Sequence, residues 1–342
     1  MDYKISMIIP IFNAGEFLDN LINSLINQTF GFENIELILV DDCSRDNSRD
    51  IIKSYADKYD NIKPIFLKEN SGAASYPRNV GISHATAPYM QFLDADDDVD
   101  KDYCYVLYDL ITSNDVDIVN CNHSSKLNNK LYISRDIETI NFKAYFVGEN
   151  DKMLLGYTAW GNIYRSSLIM DNNIRFPSTQ FDDGVFSLTC LANTSKPVIQ
   201  VKDYPGYVYL IENEDSITHK ASFKTISGFI EAYYICYDIL KAFPKEIIVE
   251  NLINFVDMAI FILVKLDNPN EGIKLLADFE NHVEEDIVLK SKPLNILNNK
   301  IKNRKYGQAS FLVRLFALFY NNKRIRNFVF VKFSNLKPKE DS

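Results

Sequence analysis

The feature that most limits how this chain can fold is a repeated change of hydrophobic period over its first hundred residues. Ile5 to Ile9 is a short apolar run of the kind that forms a buried strand. Phe17, Leu18, Leu21, Ile22, Leu25 and Ile26 then recur at helical spacing. Ile35 to Val40 and Ile62 to Phe66 repeat the strand pattern, with a polar-faced helix predicted over Asp46 to Tyr59. A helix over Pro77 to Ala85 tolerates Pro77 in its first turn, and Tyr89 to Leu93 is a fourth strand. Such alternation with short connections predicts βαβ units and a mostly parallel sheet covered on both faces, an α/β fold.

In open sheets of this kind, ligands sit beyond the carboxyl ends of the strands. Three polar clusters occupy those ends: Pro10-Ile11-Phe12-Asn13, Asp41-Asp42-Cys43-Ser44, and Asp94-Ala95-Asp96-Asp97-Asp98. The crowded carboxylates of the last cluster repel one another. A hard divalent cation, Mn²⁺ or Mg²⁺, relieves that repulsion and takes its remaining ligands from water and phosphate oxygens. In a solvated acidic turn the same residues would have no such task. Asp41 and Asp42 also suit capping of the next helix. A fourth stretch, Asn70-Ser71-Gly72-Ala73-Ala74-Ser75-Tyr76-Pro77-Arg78-Asn79, combines small residues, which let backbone N–H groups approach a ligand, with one guanidinium fork. Neither GxxxxGK[ST] nor GxGxxG is present, which argues against nucleoside-triphosphate hydrolysis and dinucleotide binding.

These motifs and their order resemble a family 2 glycosyltransferase of the GT-A fold. The resemblance is carried by Ile8-Ile9-Pro10-Ile11-Phe12-Asn13, Asn27-Gln28-Thr29-Phe30, Val40-Asp41-Asp42-Cys43-Ser44, Asn70-Ser71-Gly72 with Arg78-Asn79-Val80-Gly81, and Phe92-Leu93-Asp94-Ala95-Asp96-Asp97. It continues through Trp160-Gly161-Asn162-Ile163-Tyr164-Arg165, Phe181-Asp182-Asp183-Gly184-Val185-Phe186 and Ser216-Ile217-Thr218-His219, and so covers about residues 4–219. The similarity is to the bacterial branch that builds teichoic-acid, capsule or other cell-surface glycans. It implies an inverting transfer from a UDP-sugar to a glycan or lipid-linked hydroxyl acceptor. Pro10, Phe12, Asp41, Asp42, Asn70 and Gly72 would line the nucleoside. Arg78 would face the diphosphate, Asp94 and Ala95 the ribose or sugar, and Trp160 a sugar ring. Asp96, with His219 as a further ligand, would hold the metal. Asp183 would remove the acceptor proton. The commoner acidic pair in the family is Glu-Asp; Asp182 departs at the first position, which leaves the base unchanged.

Beyond Ser222 the chain reads as helical, with Ile226, Phe229, Ile230, Tyr233 and Tyr234 on one face and Ile247 to Leu266 as another helix. A GT-A catalytic domain over 1–220 and a helical C-terminal region over 221–342 are therefore expected, and those helices offer a surface for homo-oligomer formation. Charge divides along the same line. Residues 290–342 hold thirteen Lys/Arg and two acidic side chains, a net of +11, so the remainder carries −20 of the overall −9. Lys300, Lys302, Arg304 and Lys305 precede Phe311, Leu312, Leu315 and Phe316, and more basic and aromatic residues follow. That pattern predicts contact of residues 300–339 with an anionic membrane surface, or else a packing helix with a solvated basic face. No nucleic-acid recognition motif accompanies it.

Five cysteines at wide spacings, Cys43, Cys104, Cys121, Cys190 and Cys236, suit free thiols. No signal peptide is legible, and no uncharged apolar run reaches the ~20 residues a bilayer requires. A cytoplasmic location on the inner face of the plasma membrane follows as an expectation. Two other readings compete: a catalytically silent nucleotide-sugar-binding scaffold, and a nucleotidyltransferase. The latter is expected to carry a basic Gly-rich N-terminal loop, and Pro10 to Gly15 has no basic residue.

Overall fold

A computed structural model describes residues 2–127, 130–133, 142–145, 158–179, 181–201, 204–210, 222–289, 292–320 and 337–338. The first half follows the expected alternation: β1 Ile5–Ile11, α1 Gly15–Ile26, β2 Ile35–Asp41, α2 Ser48–Ala56, β3 Ile62–Phe66, α3 Ser75–His84 and β4 Tyr89–Phe92. Helix α2 is shorter than the periodicity predicts. Asp46 stands outside it, using its carboxylate to accept from the Ser48 amide and hydroxyl and from the Gly15 amide of α1. The two N-terminal helix ends are thereby fastened together.

The middle of the chain contains β5 Asp98–Val99, α4 Tyr103–Ser113, β6 Ile118–Cys121, β7 His123–Leu127, β8 Lys130–Ile133, β9 Phe142–Tyr145, β10 Asn162–Arg165, α5 Ser166–Asp171, α6 Asp182–Asn193, β11 Val198–Val201 and β12 Tyr207–Leu210. Helices α7 Phe223–Leu240, α8 Lys245–Val264, α9 Asn270–His282, α10 Lys292–Lys302 and α11 Tyr306–Tyr320 follow, and β13 Lys337–Pro338 pairs with β8.

The main sheet has the order β3-β2-β1-β4-β10-β6-β11-β9. β3, β2, β1 and β4 are mutually parallel, while β10 and β9 run antiparallel to their neighbours. Successive side chains of β1 serve opposite faces, as a strand requires. Met7, Ile9 and Ile11 pack under α1 and α4, whereas Ile8 joins Phe92, Tyr164 and Phe186 on the other face. Gly81 permits that second layer. A Cβ there would meet Ile8 Cγ2 at 2.4 Å, so α3 lies against β1 at a distance only glycine allows. Pro10 sits inside a central strand without cost, because the β1–β4 ladder ends at Ile8 and its missing N–H is not needed.

A second, smaller sheet, β13-β8-β7-β12-β5, stands beside the acidic run. The same core that covers Ile8 and Phe92 continues into Phe229, Phe255 and Leu276 of α7, α8 and α9. Helix α8 has the length and composition of a membrane span, with mean hydropathy 2.1, but 56% of its apolar window is buried within the protein. All five cysteines are unpaired thiols, and all but Cys43 are buried.

Candidate active site

The carboxyl edge of β1, β2 and β4 gathers most of the residues singled out from the sequence. Phe12 projects from the end of β1 with 48% of its surface exposed. Beside it, Asn13 adopts φ 50° and Cys43 φ 62°, left-handed conformations that non-glycine residues rarely occupy. Two hydrogen bonds close these turns on each other: the Asn13 amide donates to Ser44 Oγ (2.9 Å), and the Arg45 amide donates to Asn13 Oδ1 (2.8 Å).

Asp41 and Asp42 part company. Asp41 is fully buried and faces Arg49, whose Nε donates to it at 2.6 Å, so its carboxylate serves the β2–α2 turn. Asp42 faces the loop that follows β3. It accepts from Asn70 Nδ2 (3.0 Å), from the Ser71 amide (2.9 and 3.0 Å) and from Ser71 Oγ (2.9 Å). Gly72 follows at φ 81°, with open space where a side chain would lie. Asp42 thus moulds the small-residue loop that carries Asn70 and Gly72.

Arg78 lies one turn further, on α3, and its surroundings differ from the expectation of a phosphate ligand. Its Nη2 donates to Asp94 Oδ1 (2.6 Å), and its Nη1 to Asp183 Oδ1 (2.5 Å) and Asp182 Oδ2 (3.2 Å). Asp94 lies in the loop just after β4, and Asp182 and Asp183 begin α6. One guanidinium therefore joins the acidic run to the acidic pair. Asp183 Oδ2 also accepts from the Ala159 amide (3.2 Å), one residue before Trp160. Burial pushes the Asp183 carboxyl up to about 7; the Arg78 charge opposes that rise, and Asp182 and Asp94 add to it. A group poised near neutral pH, with its side chain one-fifth exposed, has the properties of a general base.

Ala95 is buried, while Asp96 stays partly open on the same loop. Asp97 turns inward. It accepts from the Tyr207 hydroxyl (2.6 Å) and the Leu210 amide (2.8 Å), and so ties the acidic run to β12. Trp160 lies flat over Tyr207, with centroids 4.3 Å apart and planes at 13°, and over Tyr209 at 6.0 Å. His123 meets its edge at 5.3 Å. Among the described residues, no cluster of three His, Cys, Asp or Glu side chains has metal-holding geometry. A Mg²⁺ or Mn²⁺ ion needs only one or two protein carboxylates where a diphosphate supplies the rest, and the partly open Asp96 fits that demand. His219 lies outside the described residues.

Known proteins resemble the chain in sequence and in fold. Residues 6–172 match glycosyl transferase family 2. A poly(ribitol-phosphate) beta-N-acetylglucosaminyltransferase, TarP of Staphylococcus aureus, is 30% identical over 243 residues, 68% of this chain and 72% of that protein. The chain belongs to glycosyl transferase family 2. A cholesterol galactosyltransferase of Borreliella burgdorferi is 34% identical over 208 residues, 57% of each chain. The crystal structure of S. aureus TarS 1-349 in complex with UDP-GlcNAc superposes with a TM-score of 0.74 over 92% of this chain and 91% of that one, at 24% identity. The fold is therefore that of the GT-A transferases. The chain spans about half the length of several curated relatives it matches.

Four residues of the site had no binding or catalytic role assigned from the sequence: Ser71, Asp97, Asp182 and Tyr207. Asp97 had one signal, its place in the acidic run, but its partner Tyr207 is 110 residues away. Asp182 had the signal of pairing with Asp183, and its contact with Arg78 spans 104 residues.

Proposed function

We propose that the chain is an inverting glycosyltransferase that moves a sugar from a UDP-sugar to a hydroxyl of a cell-surface glycan or lipid-linked acceptor. The observation that carries this reading is the partly exposed Asp183, held beside Asp94 at the carboxyl edge of the sheet. In the reaction, the acceptor oxygen bonds to the anomeric carbon while its proton passes to Asp183, and the bond from that carbon to the diphosphate breaks. Attack from the face opposite the leaving UDP inverts the configuration. Phe12, Pro10 and the Asp42-moulded loop of Asn70 and Gly72 would enclose the nucleoside, and Trp160 would offer its ring to a sugar. Asp96 would hold a Mn²⁺ or Mg²⁺ ion, and that ion when bound supplies neutralising charge for the diphosphate.

The deciding experiment is a panel of UDP-sugars with Mn²⁺ or Mg²⁺, read as protection against thermal unfolding and as UDP release. One donor should raise the melting temperature and be hydrolysed slowly. Protection by none of them, with or without metal, would remove the reading.

The protein would work on the cytoplasmic face of the membrane, with its basic C-terminal region toward anionic lipid. In support, Phe311 is 66% exposed and Leu315 36% exposed on the solvent side of α11, with the exposed Arg314 between them. Full-length chain should sediment with phosphatidylglycerol vesicles, and a Phe311→Ser, Arg314→Glu, Leu315→Ser variant should not. Equal sedimentation of both would end this part of the proposal.

A further inference from the structure

Arg78 is placed as no ligand of a diphosphate would be. Its side chain is only 5% exposed. Phe176 closes one face of the guanidinium, with the ring centroid 5.1 Å from Cζ. That ring is fixed in turn by stacking on Phe186 at 3.9 Å, and by Asn79, which donates to the Phe176 carbonyl (2.8 Å) and accepts from its amide (2.9 Å). Both terminal nitrogens are engaged by carboxylates, Nη2 by Asp94 and Nη1 by Asp182 and Asp183. The remaining nitrogen, Nε, has no partner but is buried, so an incoming phosphate would have to displace one of these ion pairs from a cation already outnumbered by three carboxylates. A guanidinium fork holds planar partners at fixed angles, so the same contacts set the distance between the end of β4 and the start of α6.

We infer that Arg78 is a positioning residue: it holds the Asp183 carboxylate against the donor-facing Asp94 loop and does not bind the donor diphosphate. The inference rests on the reading of Asp183 as the base. It gives α3 a task in the reaction, since the helix that covers the sheet through Gly81 also carries the residue that sets the geometry of proton transfer. The charged or titratable groups facing Asp183 are Arg78 and Asp94 from one side, Asp182 from its own helix and Tyr164 from β10. Removing Arg78 takes away the single positive charge of that set. Removing Asp182 takes away one negative charge and leaves Arg78 in place.

The two roles separate in the pH profile of UDP-N-acetylglucosamine hydrolysis and in the affinity for UDP, measured by calorimetry with Mn²⁺. For a positioning residue, Arg78→Gln shifts the acidic limb of kcat/KM upward by about one pH unit or more, Asp182→Asn shifts it downward, and Arg78→Lys falls between wild type and Arg78→Gln. UDP affinity stays within about threefold throughout, because RT ln 3 is smaller than the loss of one charged contact. A loss of UDP affinity of about tenfold or more in Arg78→Lys, with the limb unmoved, would overturn the inference and make Arg78 a diphosphate ligand. Should Arg78→Gln fail to fold, Asp182→Asn carries the test, and an unmoved limb there is equally adverse. Failure of the underlying reading shows up separately, as retention of turnover and of the limb in Asp183→Asn.

Discussion

At the scale of single residues, the site is organised by carboxylates that look alike in the sequence and differ in environment. Asp41 and Asp42 are adjacent, yet one neutralises Arg49 and the other shapes the Asn70–Gly72 loop. Asp96 and Asp97 are adjacent, yet Asp96 is partly open while Asp97 is buried and held by Tyr207. Adjacency along a strand end sends neighbours to opposite sides, so residue type marks the cluster and the local turn assigns the work. The motifs were legible in the sequence because they are contiguous. Their division of labour was not, because each partner comes from 8 to 110 residues away. Asp183 is the residue whose role is most directly checked. Asp183→Asn keeps the size, retains one of the two acceptor oxygens and cannot take a proton, so kcat should fall by about 10²–10⁴-fold while UDP affinity holds. In wild type, the ionised form is the active one and its carboxyl is pushed up to about 7, so kcat/KM should drop about tenfold for each pH unit below that value. Rate measurements from pH 5 to 9 test both statements, and a flat profile would exclude Asp183 as the titrating base.

At the scale of elements, strand and helix periods foretold the order and type of β1 to β4 and α1 to α3, with ends closest where a strand is buried throughout, as in β2, and furthest off in the polar-faced α2. The small second sheet escaped prediction. β5 has two residues, and β7 and β12 pair directly although they lie far apart in the chain. Pairing of that kind leaves no local period to read. The antiparallel insertion of β10 between β4 and β6 is likewise a matter of connection, not of pattern. Two changes probe how the elements are held. Gly81→Ala forces a methyl group into Ile8 at the α3–β1 contact and should cost about 1–3 kcal/mol in chemical denaturation. An unchanged midpoint would mean that α3 rides further from the sheet. In the helical region, Glu280 of α9 is 1% exposed, and burial pushes its carboxyl up to about 8, with Lys302 and Asn298 opposing the rise. A carboxyl whose folded value is raised is accommodated while protonated. The stability it contributes is present below its ordinary value near 4.5 and is lost as pH climbs toward 8. Glu280→Gln should therefore be more stable than wild type at pH 8, by on the order of 3 kcal/mol, with the difference vanishing near pH 4.5. Parallel melting curves of the two proteins across that range would contradict the assignment.

At the scale of the whole molecule, the sequence leads to the expectation of a catalytic domain over 1–220 and a helical region over 221–342, and the structure shows contacts that join the two stretches. Phe181, the residue before the acidic pair, meets Phe229 of α7 edge-on at 4.6 Å. Phe229 stacks on Phe255 of α8 at 5.0 Å, and Phe255 meets Phe279 of α9 at 4.6 Å. This aromatic chain runs from the start of α6, where Asp183 sits, into the centre of the helical bundle. Helix α6 is thus supported on the side away from the sheet by residues that a catalytic domain over 1–220 would lack. Buried aromatic side chains contribute several kcal/mol each when removed, so loss of that layer exceeds the stability of an ordinary domain. A 1–220 fragment should consequently expose an apolar face on α6, fail to show a cooperative melting transition, and hydrolyse no donor even with Arg78, Asp94 and Asp183 present. Calorimetry of the full chain should show one transition that UDP with Mn²⁺ moves upward as a unit. Two separated transitions, with only the lower or only the upper responding to UDP, would instead make the helices an independent body and return α6 to the catalytic domain alone.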